Sequence, residues 1–302
     1  QEENTIMRKI SFFAFTELLK PITWFPPMWA FSCGVIASGE TLLDKWKIII
    51  LGLILAGPMV CASSQAINDW FDKEVDAINQ PERPIPSGRI PGSWGLVIAI
   101  IWSILSLIVA SFLGVWGFIA ASIALFLAWA YSMPPIRLKT NGWFGNAACG
   151  LSYEGIAWVT GAAVMAGGSF PESRSILLAL LYSVGAHGIM TLNDFKSIEG
   201  DKKMGINSLP VKLGVKKAAQ SSCLTMLIPQ IFVVGLLLSW NTYFHAAMLC
   251  LMIFFQGLLM RTFLSKPLEK AIFYSAFGVP VFVSGMMISA FALRSITANN
   301  LL

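Results

Sequence analysis

Charge is the scarcest property of this sequence. Only 12% of its 302 residues are Asp, Glu, Lys or Arg, where a soluble domain carries about 25%. A chain this poor in charge cannot keep a globular surface wet, which excludes a soluble domain. Histidine is nearly absent: the two residues, His187 and His245, both lie outside the polar loops. The five cysteines (Cys33, Cys61, Cys149, Cys223 and Cys250) sit in apolar runs and form no CxxC pair. That pattern indicates packing, with neither a disulfide framework nor a zinc site. Short alternating segments of the kind that build a β-barrel are missing. The opening residues, QEENTIMRKI, lack the apolar core and small-residue cleavage site of a signal peptide, so none is expected.

What is present is hydrophobic: 56% of the residues are apolar and the mean hydropathy is +0.70. Apolar runs recur at roughly 20 residues, the length of a helix that crosses a bilayer. They predict an all-α polytopic membrane protein of about nine spans, near 21–38, 46–67, 93–113, 115–133, 145–168, 175–196, 217–240, 243–263 and 271–294. All but four of the 21 Lys and Arg residues fall in the N-terminal segment, in the long connections 68–92, 134–144, 197–216 and 264–270, or at bordering helix ends. The exceptions are Lys45, Lys47, Arg174 and Arg294. By the positive-inside rule the long connections and the N-terminus are expected in the cytoplasm and the C-terminus outside. The net charge of +5 therefore follows from topology and anionic lipid and calls for no nucleic acid.

The polar connections hold an echo. Asn68-Asp69-x-x-Asp72-x-x-x-Asp76 returns 125 residues later as Asn193-Asp194-x-x-Ser197-x-x-x-Asp201. Each copy ends a span, the second and the sixth, and each precedes a Pro- and Gly-containing segment. A single domain, 1–302, is expected, with a pseudo-repeat of 21–144 and 145–270 and a last helix 271–294. Positions i, i+3 and i+7 share a helical face. A helix continuing to about Asn79, before Pro81, would make one acidic stripe of Asp69, Asp72 and Asp76, with Asn68 and Glu74 beside it. Carboxylates at membrane depth cost roughly 2.5–3.5 kcal/mol each, and like charges so close repel. A divalent cation offsets both effects, and oxygen-only donors select Mg²⁺ or Mn²⁺. Two such clusters facing each other can hold a diphosphate between metal ions. Arg83, Arg89, Arg137, Lys139, Lys196, Lys202 and Lys203 flank them. The plain alternative for one such motif is a solvated helix end; two copies on one membrane face, with flanking cations, favour the diphosphate reading.

NDWFDKEVDAINQPERPIPSG and NDFKSIEGDKKMGINSLPVKLG resemble the two Asp-rich motifs of the UbiA superfamily of intramembrane prenyltransferases, and YSMPPIRLKTNGWFGN fits the segment between them. KPITWFPPMWAF, GAHGIMTLND and NDFKSIEGD are similar to the branch of chlorophyll and bacteriochlorophyll synthases, the latter in particular. The resemblance runs from about Glu17 to Arg294. It implies nine helices around a central cavity open to lipid, and Mg²⁺-dependent transfer of an isoprenoid from its diphosphate. By motif position it places Asn68, Asp72, Asp76 and Asp201 near the metals, with Asp69 and Asn193 as further candidate ligands. Ser197 stands where many members carry an Asp, so either Asp194 or Glu199 is the expected substitute.

The implied acceptor is the propionate of bacteriochlorophyllide. A carboxylate with a pKa near about 4–5 is ionised at neutral pH and needs no base. Asp72, Asp76, Asp201, Lys139 and Tyr131 are the candidate catalytic residues. Arg83, Arg137, Lys196 and Lys202 are candidates for the diphosphate, and aromatic faces for the allylic cation are offered by Tyr131, Trp70, Tyr153 and Trp158, against packing as the alternative for each. Glu154 either lines the pigment cavity or makes a structural hydrogen bond. His187, about 10 Å deeper than Asp194 on the same face, either meets the macrocycle or is a core histidine. Phe25 either selects the pigment or packs. Expected partners are the isoprenoid diphosphate, the pigment, membrane lipid and other membrane proteins of pigment synthesis, in the cytoplasmic (photosynthetic) membrane of a bacterium. The competing readings are prenyl transfer to chlorophyllide, a quinone precursor or haem, and a pigment carrier, which needs no metal carboxylates. The DGxxAR opening of phosphatidyl-alcohol transferases is missing.

Overall fold

The computed structural model describes residues 10–299, which are helical with no strand among them. Helix α1 (Phe12–Leu19) begins where the Ser11 hydroxyl accepts the Ala14 amide and ends at Lys20, in the left-handed region at φ 46°. Helix α2 is Phe25–Ala37. Helix α3 (Trp46–Ile54) passes through a π-helical turn, Leu55–Cys61, into α4 (Ala62–Phe71). Pro58, inside that turn, lacks an amide proton, and the wider turn absorbs the lost bond. Then follow α5 (Lys73–Asn79), α6 (Trp94–Ser111) and α7 (Gly114–Ser132). Helix α8 (Gly142–Gly150) is capped by the Asn141 side chain and runs through a second π turn, Leu151–Ile156, into α9 (Ala157–Met165). The chain closes with α10 (Ser173–Asn193), the short α11 (Ile198–Lys203) and α12 (Leu209–Leu213), and three long helices, α13 (Val215–Ser239), α14 (Tyr243–Ser265) and α15 (Pro267–Asn299).

Among the described residues, seven helical stretches are long and apolar enough to cross a membrane. Two expected spans differ. The first is α2, 13 residues, about 20 Å by helical rise and short of a bilayer core of about 30 Å. The fifth is α8 and α9 with a π turn between them. The N-terminal segment 1–9, expected in the cytoplasm, lies outside the described residues. The helices face lipid with isoleucine and phenylalanine: Ile101, Ile104 and Ile108 on α6 and Phe254, Phe255 and Leu258 on α14 are exposed. The inner core gathers Trp158, Tyr182, Phe263, Tyr274 and Phe282.

Helices α2 and α9 touch backbone to backbone through glycines, the small-residue contact that lets membrane helices approach. A Cβ on Gly161 would stand 2.1 Å from the Phe31 carbonyl oxygen, and one on Gly34 2.0 Å from that of Trp158. Gly161→Ala is expected to cost about 1–3 kcal/mol and to lower the thermal midpoint in detergent. Gly235→Ala, where a Cβ meets nothing within 4 Å, is the control and is expected to lose nothing. Equal midpoints would contradict the close contact.

Candidate active site at the loop end of the bundle

The first acidic motif is not one continuous helical stripe. Helix α4 breaks at Asp72 (φ −99°, ψ 3°) and α5 starts after it. The break parts the like charges between two sets of cations. Arg83 bridges Asp69 and Asp76, at 3.4 and 2.6 Å, and Lys20 holds the same Asp69 oxygen at 2.5 Å. Asp72 instead meets Lys139 at 2.5 Å and Arg137 at 3.2 Å. The Lys139 ammonium also bonds the Asn68 amide oxygen at 3.1 Å, and Ser132 donates to that oxygen at 3.3 Å. Burial raises the Asp76 carboxyl above its usual value, with Arg83 opposing. Burial lowers the Lys139 ammonium below its usual value, with Asp72 opposing. Glu74 is exposed.

The second motif repeats the backbone of the first. Ser197 takes φ −113°, ψ 4°, close to Asp72, and its carbonyl accepts the Asp201 amide at 2.8 Å as that of Asp72 accepts the Asp76 amide at 2.7 Å. The Ser197 hydroxyl donates to the Asp201 carboxylate at 2.9 Å. Asp194 accepts from the Asn146 amide at 3.1 Å, and Thr191 lies against the same amide at 3.3 Å. Asn193, Lys196, Glu199, Lys202 and Lys203 are exposed. A parallel bridge between Asn141 and Asn207 joins the two loops: Asn207 donates to Thr140 at 2.9 Å and Gly142 donates to Asn207 at 2.8 Å. The loop carrying Lys139 is thereby tied to the loop that follows Asp201.

Beneath the first motif lies a cavity of about 240 Å³. Its upper wall is polar, with Asn68, Gln65, Ser64, Cys61, Tyr131, Cys149, Ser152 and Tyr153. Its lower wall is Leu55, Ala121, Ala124, Leu127, Ile156 and Thr160. Both π turns line it, as wide turns commonly do at sites. No Asp, Glu, His, Lys or Arg is in the lining. The Gln65 amide donates to the Tyr153 hydroxyl at 2.9 Å.

Of the residues singled out in the sequence, Asn68, Asp69, Asp72, Asp76, Arg83, Arg137 and Lys139 form one cluster, with Tyr131 and Tyr153 in the cavity below. Four others stand apart from the cavity. Glu154 is buried in the second π turn with one oxygen unpartnered among the described residues. His187 stacks on Trp143 and its Nε2 lies 3.2 Å from the Trp143 carbonyl, as a core histidine does. Phe25 is exposed and stacks on Trp29. Trp158 is fully buried, donates to Ser175 and stacks on Tyr182, a packing role. Trp70 lies under the Lys73 ammonium, at 3.9 Å. Arg89 leaves the cluster for Glu17, which it grips with two bonds of 2.6 and 2.9 Å. Sequence reading missed Lys20, Gln65, Ser132 and Asn146. Lys20 and Ser132 fall in the segments KPITW and YSMPP, but nothing in the sequence marks Gln65 or Asn146 except helical spacing from Asn68 and Asp72 or folding against Asp194.

Residues 18–286 match the model of the UbiA prenyltransferase family. The chain is 50% identical to the bacteriochlorophyll synthase 33 kDa chain of Cereibacter sphaeroides, over 94% of this chain and 93% of that one. It is 39% identical to the chloroplastic chlorophyll synthase of rice, Oryza sativa, over 91% and 75%. It superposes with a TM-score of 0.67 and 19% identity on a UbiA homolog from Archaeoglobus fulgidus bound to DMAPP and Mg²⁺, covering 93% of this chain and 99% of that one, a likeness of fold. A family match that spans most of the chain, with both Asp-bearing motifs at one end of a cavity-containing helical bundle, makes this chain a member of the UbiA prenyltransferase family.

Proposed function

We propose that the chain is an intramembrane prenyltransferase that moves a geranylgeranyl or phytyl group from its diphosphate to the propionate carboxylate of bacteriochlorophyllide. The observation that carries the acceptor class is the chemistry of the cavity. A cluster of Asp, Lys and Arg sits at its mouth, and its walls hold no residue that acts as a base at neutral pH. A phenol or alcohol entering such a cavity would need deprotonation; a carboxylate enters as a nucleophile. The name and identity of the Cereibacter relative point to the same acceptor.

The residues also suit a divalent cation. Asn68 and Asp72 already converge on one positive centre, the Lys139 ammonium, and a buried Asp69 oxygen has no partner among the described residues. The donors are oxygen only, which suits Mg²⁺, and the Archaeoglobus structure contains it. Asn68, Asp72, Asp76, Asp194 and Asp201 would hold it together with the diphosphate oxygens. When bound it supplies positive charge to the departing diphosphate. Lys139, Arg137 and Arg83 supply theirs from fixed positions, so little reorganisation is needed as the negative charge develops. The donor chain lies along Leu55, Ala121 and Leu127, and the Tyr131 ring faces the allylic carbon. At about 240 Å³ the cavity is smaller than the common range of about 300–1,000 Å³ for ligand sites. The prenyl chain and the propionate enter; the macrocycle stays on the lipid side. The loop end is the cytoplasmic face of a bacterial membrane, where soluble diphosphate departs.

The test offers membranes bacteriochlorophyllide, chlorophyllide and 4-hydroxybenzoate together with geranylgeranyl diphosphate and Mg²⁺. The expected product by mass is the bacteriochlorophyllide ester, with stoichiometric diphosphate. Prenylated 4-hydroxybenzoate without pigment ester would reject the assignment.

A further inference from the structure

Tyr153 and Gln65 form a pair whose role is not explained by packing. The Tyr153 oxygen receives the Gln65 amide at 2.9 Å and, more weakly, the Cys61 thiol at 3.5 Å. Its own proton has only a long contact to an acceptor. The Ser64 hydroxyl is 3.5 Å away; its oxygen can accept while its own proton goes to the Cys61 carbonyl at 2.7 Å. Hydroxyl bonds run at about 2.5–3.0 Å, so the Ser64 contact is a long one that a better acceptor entering the cavity, whose lining has no charged residue, would displace. Gln65 precedes Asn68 by one helical turn and Asp72 by two. By helical rise the pair lies about 4–5 Å below the amide and about 10 Å below the carboxylate of the mouth. That is the depth at which the first carbon of a chain anchored by its diphosphate would lie.

We propose that the Tyr153 hydroxyl, its oxygen fixed by Gln65, binds the acceptor's carboxylate and holds it for attack. The inference rests on the acceptor class argued above. Tyr153 donates to one carboxylate oxygen, and the other oxygen forms the new bond to the allylic carbon. The bond from that carbon to the diphosphate oxygen breaks, and its electron pair leaves with the diphosphate. Tyr153 keeps its proton throughout, so no base is consumed. Gln65 is a positioning residue. By occupying one lone pair of the hydroxyl oxygen with a donor, it turns the O–H toward the rest of the cavity as a donor.

Membranes carrying the wild-type chain, Tyr153→Phe, Gln65→Glu and the double variant are assayed with varied bacteriochlorophyllide and, separately, varied geranylgeranyl diphosphate. A hydrogen bond to a charged group is commonly strong enough that its loss changes affinity by about tenfold to a hundredfold. Tyr153→Phe, which retains the ring, is expected to raise the pigment KM by that factor and leave the diphosphate KM unchanged. Gln65→Glu introduces an acceptor that captures the Tyr153 proton, so it should raise the pigment KM similarly, and the double variant should be no worse than either. The unchanged diphosphate KM also reports that the variants are folded. An unchanged pigment KM in Tyr153→Phe overturns the proposal, as does an equal rise for both substrates, which is the signature of a packing role. A normal pigment KM in Gln65→Glu overturns the role of Gln65. If the wild type forms no pigment ester, the acceptor reading falls and this inference with it. If the wild type esterifies the pigment and the variants keep the wild-type pigment KM, this inference alone fails.

Discussion

Asp72→Asn is expected to lower turnover at saturating substrates by about 10²–10³-fold or more, the range seen when one preorganised charge-stabilising group is lost. The Asp72 carboxylate is shared by two cations of the proposed machinery. It holds Lys139 at 2.5 Å and Arg137 at 3.2 Å, and with Asn68 it surrounds the Lys139 ammonium. The isosteric amide preserves size and removes the charge, so the loss is electrostatic. Two causes then need separating: a lost cation ligand and a displaced Lys139. A Mg²⁺ titration separates them. Asp72→Asn should raise the half-saturating Mg²⁺ concentration, whereas Lys139→Met should lower turnover and leave the Mg²⁺ requirement where it was. Chelation should abolish wild-type activity, with recovery on added Mg²⁺. Turnover of Asp72→Asn within threefold of wild type would sink the placement of the reaction at this cluster.

Much of this site could be read from the sequence because charge inside an apolar chain is costly and therefore conspicuous. Asn68, Asp72, Asp76 and Asp201 declared themselves as carboxylates and amides at span ends, and Arg83, Arg137 and Lys139 as their neighbours. The spans could be read because lipid demands apolar runs of bilayer length, which is why the seven long helices fall where expected. What remained hidden depends on partners distant in the chain. Nothing local announces that α4 breaks at Asp72; the break follows from Lys139 drawing that carboxylate to one set of cations while Arg83 takes Asp69 and Asp76. Neither does local sequence separate Tyr153 from Trp158. Both are aromatics of the same apolar stretch, yet one lines the cavity and the other is sealed against Tyr182 and Ser175. The weight of Gln65, a neutral side chain in a helix, emerges only from its contact with a residue 88 positions away. The shortness of α2 was likewise masked, because the apolar run 21–38 includes the turn Pro21–Thr23 before the helix starts.

The break in the second motif at Ser197 leads to the second large effect. Asp194→Asn is expected to reduce turnover by about 10²-fold or more, while Glu199→Gln should stay within about twofold of wild type. The two acids were equal candidates for the missing carboxylate, and their surroundings differ. Asp194 ends α10 facing inward, where Asn146 donates to it at 3.1 Å, and it stands beside Asp201, to which Ser197 is bonded. Glu199 is exposed on α11, and no hydrogen bond or ion pair holds it among the described residues. Ser197 itself does something a carboxylate in its place could not. Its hydroxyl donates to Asp201 at 2.9 Å, aiming an anion that an Asp at 197 would repel. Ser197→Asp is therefore expected to lose activity despite restoring the spacing that many family members carry, and Ser197→Thr, which keeps the donor, to retain most of it. Full activity in Asp194→Asn together with loss in Glu199→Gln would move the ligand to α11. It would also require the 197–203 segment to turn inward when the diphosphate binds, since only then could the Glu199 carboxylate reach the cluster around Asp72.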